Sequence, residues 1–117
     1  MTEASEIRVR RAEKLLEITF TDGEHISLPA EYLRVESPSA EVQGHTPSQR
    51  KTVYGRRHVG IMAVEPVGHY GIRLTFDDLH DTGIYSWDYL RMLAHDHDKK
   101  WAAYLAELEE KRLSRDP

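Results

Sequence analysis

The chain contains no cysteine, which excludes disulfides, thiolate zinc sites, iron–sulfur ligation and a cysteine nucleophile. It has no run near the ~20 apolar residues that cross a bilayer. Its first residues, Met-Thr-Glu-Ala-Ser-Glu, carry no basic stretch leading into an apolar one. A cytoplasmic setting with no membrane partner is therefore expected. Charge of one sign is missing too: 16 Lys and Arg stand against 20 Asp and Glu, for a formal charge of −4 and a pI near 6.0. Nothing supplies the field behind tight nucleic-acid binding. The chain has no Walker loop, no dinucleotide fingerprint and no Gly-x-Ser-x-Gly elbow. None of the 7 histidines has an acid two positions later, as a facial iron triad usually does.

What is present fits one domain spanning residues 1–117, with 39% hydrophobic content. Ile7 and Val9 alternate with Arg8 and Arg10, the pattern of an edge strand. Leu16, Ile18 and Phe20 alternate with polar residues, Asp22-Gly23 offers a tight primed turn, and Ile26 and Leu28 resume the alternation, which predicts a hairpin. Pro29 and Pro38 bracket a short helical piece over Ala30 to Arg34. Residues 36–57 lack periodicity and read as a long surface loop. Val59 to Val64 is nearly continuously apolar, as in a central strand covered on both faces, with a turn from Pro66 to His69. Tyr70, Ile72, Leu74 and Phe76 alternate, Asp77 to His80 turns, and a short strand surrounds Ile84 and Tyr85. Ser86 is the expected cap of a helix running to about His95, and a second amphipathic helix follows a break at Asp96 to Asp98, with helices together covering 86–113. Asp96 or Asp98 would cap that second helix. The fold class is α+β: an antiparallel sheet, hairpin plus meander, packed against C-terminal helices. No internal repeat is read from the sequence.

Several groups invite a chemical reading. His80 with Asp78 and its neighbouring aspartates combines imidazole and carboxylate, a candidate for a divalent cation, although a polar turn explains it as well. His95-Asp-His-Asp98 cannot converge on one ion while helical and reads as a solvated junction. The loop carries Arg50, Lys51, Arg56 and Arg57 without an acid, a candidate anion- or partner-binding arm. Ser37, Ser39 and Ser48 read as turn and cap formers rather than nucleophiles. Trp87, Tyr89, Trp101 and Tyr104 read as core.

Three stretches, Leu28 to His45, Glu65 to Tyr70 and Phe76 to Trp87, carry a resemblance, most specifically in Leu-Arg-x-x-Ser-Pro-Ser over 33–39 and His-Asp-Thr-Gly-Ile-Tyr-Ser-Trp over 80–87. Over about Leu15 to Trp101 the chain resembles the small N-terminal domain of gamma-butyrobetaine and trimethyllysine hydroxylases, which bacteria also make free-standing, known as the DUF971 family. In the hydroxylases this module looks zinc-stabilised, by three cysteines and a histidine that correspond to Ser37, Ser39, Val42 and His80. Three of the four ligands are thus absent, and neither serine nor valine replaces a thiolate. No metal or other cofactor is therefore expected, and His80 reads as a hydrogen-bonding remnant. The oxygenase chemistry belongs to another domain. Related modules also look to be fused to P-loop ATPases that handle iron–sulfur clusters, which implies service to metalloenzymes.

The expected function is a non-catalytic interaction domain whose partner is another protein. Its recognition surface would join the 34–45 and 77–87 segments, with Arg34, Glu36, Ser37, Glu41, Gln43, His45, His80 and Asp81 around the apolar anchor Pro38. The alternative is a small metal- or ligand-binding protein that uses the His80 turn.

Overall fold

The structure is a computed structural model that describes residues 2–117. Strands β1 (Ala4–Arg10), β2 (Leu15–Phe20) and β3 (His25–Pro29) form an antiparallel meander with β2 in the middle. The alternation read from the sequence puts Leu16, Ile18, Phe20, Ile26 and Leu28 into the core. The turn after β2 differs from the primed two-residue turn expected. Of its residues only Gly23 has positive φ, and Gly23 and Glu24 bond back to Phe20 across a three-residue loop.

Helix α1 (Ala30–Val35) starts after Pro29, whose backbone is extended, and all six of its residues are buried. The linker that follows is not a continuous surface loop. It holds helix α2 (Ala40–Gln43), capped by the Ser39 hydroxyl, and a 3-10 turn at Pro47–Gln49, and it buries Glu36, Ser37, Ser39 and Val42. Polar residues that turn inward have no period, so composition alone read this stretch as solvated.

Strands β4 (Ile61–Val67), β5 (Gly71–Phe76) and β6 (Ile84–Ser86) form a second antiparallel meander, a sheet separate from the first. β4 is an edge strand, not the central strand expected: Met62 is 47% exposed, and Pro66, which has no N–H, lies within the strand rather than in the turn. Helix α3 (Trp87–His95) is capped by Ser86 as its sequence predicts. Helix α4 (His97–Lys111) follows a break at Asp96, which occupies the cap position without a side-chain bond. The α+β class, the strands and the C-terminal helices expected from the sequence are all present. Among the described residues no helix is long and apolar enough to cross a membrane.

The two meanders, each with the helix that follows it, repeat one another, contrary to the sequence reading. In the first, Ala4 pairs with Phe20, then the register slips so that Glu6 pairs with Thr19 and Ile7 with Ile18. In the second, Ile61 pairs with Phe76, Ala63 with Thr75 and Val64 with Leu74, with the slip in the same place. The turn Phe20-Thr-Asp-Gly-Glu24 and the turn Phe76-Asp-Asp-Leu-His80 make the same pair of backbone bonds, and Leu79 takes the left-handed conformation of Gly23. Each helix then opens on an acid-Tyr-Leu-Arg sequence, Glu31 to Arg34 and Asp88 to Arg91.

Contacts between the halves are reciprocal. The Tyr32 hydroxyl donates to the Leu93 carbonyl at 2.7 Å and the Tyr89 hydroxyl to the Glu36 carbonyl at 2.6 Å. Arg34 of the first half pairs with Asp78 of the second, and Arg91 of the second with Asp22 of the first, each at 2.8 Å. Exchange of i to j for j to i is the signature of an approximate two-fold relation. One connected core takes Leu16, Phe20 and Leu33 from the first half and Leu74, Phe76 and Leu90 from the second. The linker, α4 and the tail have no counterpart in the repeat, and Val35, Tyr104 and Leu108 form a small second cluster beneath them.

Candidate functional site

The linker crosses the turn of the second half, and the two lock together through buried polar groups. His80 lies at the centre, 7% exposed. Its Nε2 is 2.9 Å from the Ser37 hydroxyl and its Nδ1 3.2 Å from the Glu41 carboxylate. The neutral ring with hydrogen on Nδ1 satisfies both, donating to Glu41 and accepting from Ser37. Burial, and then the Arg34 guanidinium, hold the imidazole below its ordinary pKa, against the opposing pull of Glu41 and Asp78. The Ser39 hydroxyl meets Thr82 at 2.7 Å, and Gln43 Nε2 donates to the Ser37 carbonyl at 2.8 Å. Gly83 makes room for this arrangement, since a Cβ there would stand 2.5 Å from the Ser37 hydroxyl.

Beside this lock lies an open cleft of about 500 Å³, walled by Arg34, Glu41, Val42, Lys51, Thr52, Val53, Tyr54, Arg56 and His80. Arg34 and Arg56 both donate through Nε to the same Asp78 oxygen, at 2.8 and 2.7 Å. Burial raises the pKa of the Asp78 carboxyl, but Arg34, the His80 amide and Arg56 together hold it below the usual carboxylate range. Asp78 Oδ1 also accepts the His80 amide. Asp78 is therefore the hub of a guanidinium pair, a role the metal reading missed; its place in a Thr-Phe-x-Asp turn that also occurs at Asp22 was the available signal.

The residues expected to form one recognition surface divide by burial. Arg34, Glu36, Ser37 and His80 face inward, Pro38 and Gln43 are half-buried, and Glu41, His45 and Asp81 are exposed. The basic loop divides as well. Arg50 turns away to Glu36 at 3.2 Å, Arg57 pairs with Asp116 in the tail, and only Lys51 and Arg56 reach the cleft. Much of the charge asymmetry read from the sequence is thus internal pairing. Thr52 and Val53, which were not singled out, complete the cleft wall. His95 pairs with Glu24, while His97 meets the edge of Tyr32 and stacks on Trp101.

The positions corresponding to the zinc ligands of the hydroxylases do not fit that metal. A hydroxyl bonded to the ring nitrogen of His80, a second hydroxyl bonded to Thr82 and an aliphatic side chain leave one ligand where a tetrahedral site needs four. Among the described residues no group of three histidines or carboxylates converges on a point. The line Ser37, His80, Glu41 has the bonding order of a hydrolytic triad but the wrong polarity. Ser37 is 0% exposed and Glu41 faces the cleft, so an entering substrate would meet the acid before the hydroxyl.

A family model described as gamma-butyrobetaine hydroxylase-like, N-terminal, matches residues 7–91, which covers most of both repeated halves. Two structures determined by NMR in solution are 48% and 42% identical to the chain, cover all of it and 92% and 87% of their own length, and superpose with TM-scores of 0.85 and 0.86. A crystal structure from Acidithiobacillus ferrooxidans, described as a protein of unknown function in the DUF971 family, is 39% identical over 79% of this chain and 92% of its own, with a TM-score of 0.66. None of the curated proteins matches the chain. The chain belongs to the gamma-butyrobetaine hydroxylase-like, N-terminal family.

Proposed function

We propose that this chain is a single-domain, non-catalytic interaction module that acts in the cytoplasm as an adaptor for another protein, in the service of a metalloenzyme or iron–sulfur pathway. The observation that carries the reading is the buried, hydrogen-bonded polar lock beneath an exposed rim. Ser37, Ser39 and His80 fix the linker to the second half, and Glu41, Lys51 and Tyr54 stand exposed above it. Loops positioned by a rigid scaffold are where recognition concentrates. The inverted Ser37–His80–Glu41 line supports a binding rather than a hydrolytic use of these groups.

Affinity capture of the tagged chain from its own cells, wild type beside the Glu41→Ala, His45→Ala double variant, tests this. A stoichiometric partner retained by the wild type and lost from the variant is the expected result. Unchanged associations and phenotype in the variant, where a core variant such as Leu74→Ala loses them, would sink the proposal.

A further inference from the structure

The repeat supplies an internal control for the cleft. At the turn of the first half, Arg91 from the second half places its two terminal nitrogens on the two Asp22 oxygens, at 2.8 and 3.2 Å, with Glu24 also 3.2 Å from its Nε. One guanidinium there faces two carboxylates, and His95 also lies against Glu24, at 2.6 Å. At the related place in the second half His80 stands where Glu24 stands in the first, so an imidazole replaces a carboxylate. The linker then adds Lys51 and Arg56, which have no counterparts in the repeat. Leaving the histidines aside at both places, Arg34, Lys51 and Arg56 stand against Asp78 and Glu41, one more cation than anions, whereas Arg91 stands against Asp22 and Glu24, one fewer.

Arg34 Nη1 is buried without a hydrogen-bond partner, and so is Arg91 Nε at the related place, so the difference between the two places lies in Lys51 and Arg56. Lys51 is exposed and, among the described residues, no acid lies within ion-pair distance of it. Val42, Val53 and Tyr54 give the same cleft an apolar side.

We infer that this cleft binds a carboxylate side chain of an acidic peptide segment, presented by a partner protein, with an aliphatic neighbour lying against Val42, Val53 and Tyr54. The inference rests on the interaction-module reading and gives its partner a chemistry. A guanidinium fork suits a carboxylate geometrically. The single surplus charge matches a monoanion, and the exposed Glu41 at the rim disfavours a phosphate dianion. A nucleic-acid backbone would need many more cations than this cleft offers.

The test uses the 15N-labelled full chain, titrated with a capped pentapeptide of two glutamates among leucines, its diglutamine counterpart, and inorganic phosphate. Expected are saturable shifts of the Lys51, Thr52, Tyr54 and Arg56 amides and of the Arg34 Nε–H with the acidic peptide. The diglutamine peptide and the Lys51→Gln, Arg56→Gln variant should bind about tenfold more weakly. Arg91→Gln, at the related place, should leave binding unchanged. Equal binding of both peptides, shifts with phosphate alone, or no shift with any probe would overturn the inference. Capture of the cellular partner at wild-type levels by the Lys51→Gln, Arg56→Gln variant would overturn the cleft and leave the interaction reading intact. Intact peptide binding with no partner captured would overturn that reading alone.

Discussion

His80 links folding to pH in a definite direction. Its pKa is lowered in the folded chain by burial and by Arg34, so between the ordinary histidine value near 6.5 and the folded value the unfolded chain binds more protons. The stabilising contribution is thus complete above about pH 6.5 and is lost as pH falls through the folded value. The difference in thermal midpoint between wild type and His80→Gln is expected to shrink on acidification from pH 7 to 5; an unchanged difference would contradict the burial of the neutral ring. Gly83→Ala is expected to cost about 1–3 kcal/mol in urea unfolding, because the added methyl meets the Ser37 hydroxyl at 2.5 Å and the backbone on both sides is held in β6 and the lock. Legibility at this scale followed periodicity. Leu16, Ile18, Leu74 and Phe76 announced themselves by alternation, whereas Ser37 and Glu36 are as polar as any solvated residue, and only their partners, Ser37 to His80 and Glu36 to Arg50, reveal why they are inside.

Between elements, tyrosine hydroxyls do the joining. Tyr32 and Tyr89 each reach from one half's helix to the last turn of the other's, and Tyr85 donates to the Leu33 carbonyl at 2.6 Å. Carbonyls at a helix C-terminus have no intrahelical partner, so each bond satisfies a group that burial would otherwise leave unpaired. Tyr32→Phe and Tyr89→Phe are each expected to cost about 1 kcal/mol, and nearly the same amount, in chemical denaturation. A large inequality would argue against the reciprocal relation of the halves. The tail makes a second kind of join: Gly55 and Arg57 donate their amides to Ser114 and Arg115, while Arg115 clamps Glu31 through two bonds. Arg115→Ala is therefore expected to speed hydrogen exchange at Gly55 and Arg57 with little change in β2 or β5. The alternating strands, the Ser86 cap and the break at Asp96 were legible in the sequence. β4 was misplaced because a continuous apolar run, Val59 to Val64, does not distinguish a central strand from an edge whose outer residue, Met62, is simply apolar.

Across the whole molecule, two similar halves enclose one core, and the parts outside the repeat carry the asymmetry. The repeat escaped the sequence because its spacing shifts by a residue between the middle strands and the helices, leaving only Thr-Phe-x-Asp and acid-Tyr-Leu-Arg as matching pieces. Pairing register restored the alignment that side-chain identity had lost. If the linker and the second half's turn together make the recognition site, as proposed, function lies where a segment outside the repeat meets a segment within it. The most direct measurement is an amide-shift map of the labelled full chain on addition of the partner captured from cells. The largest shifts are expected over residues 41–56 and 78–82, with β1 and the exposed face of α4 unmoved. Shifts confined to β1, α4 or the related place around Asp22 and Arg91 would contradict it.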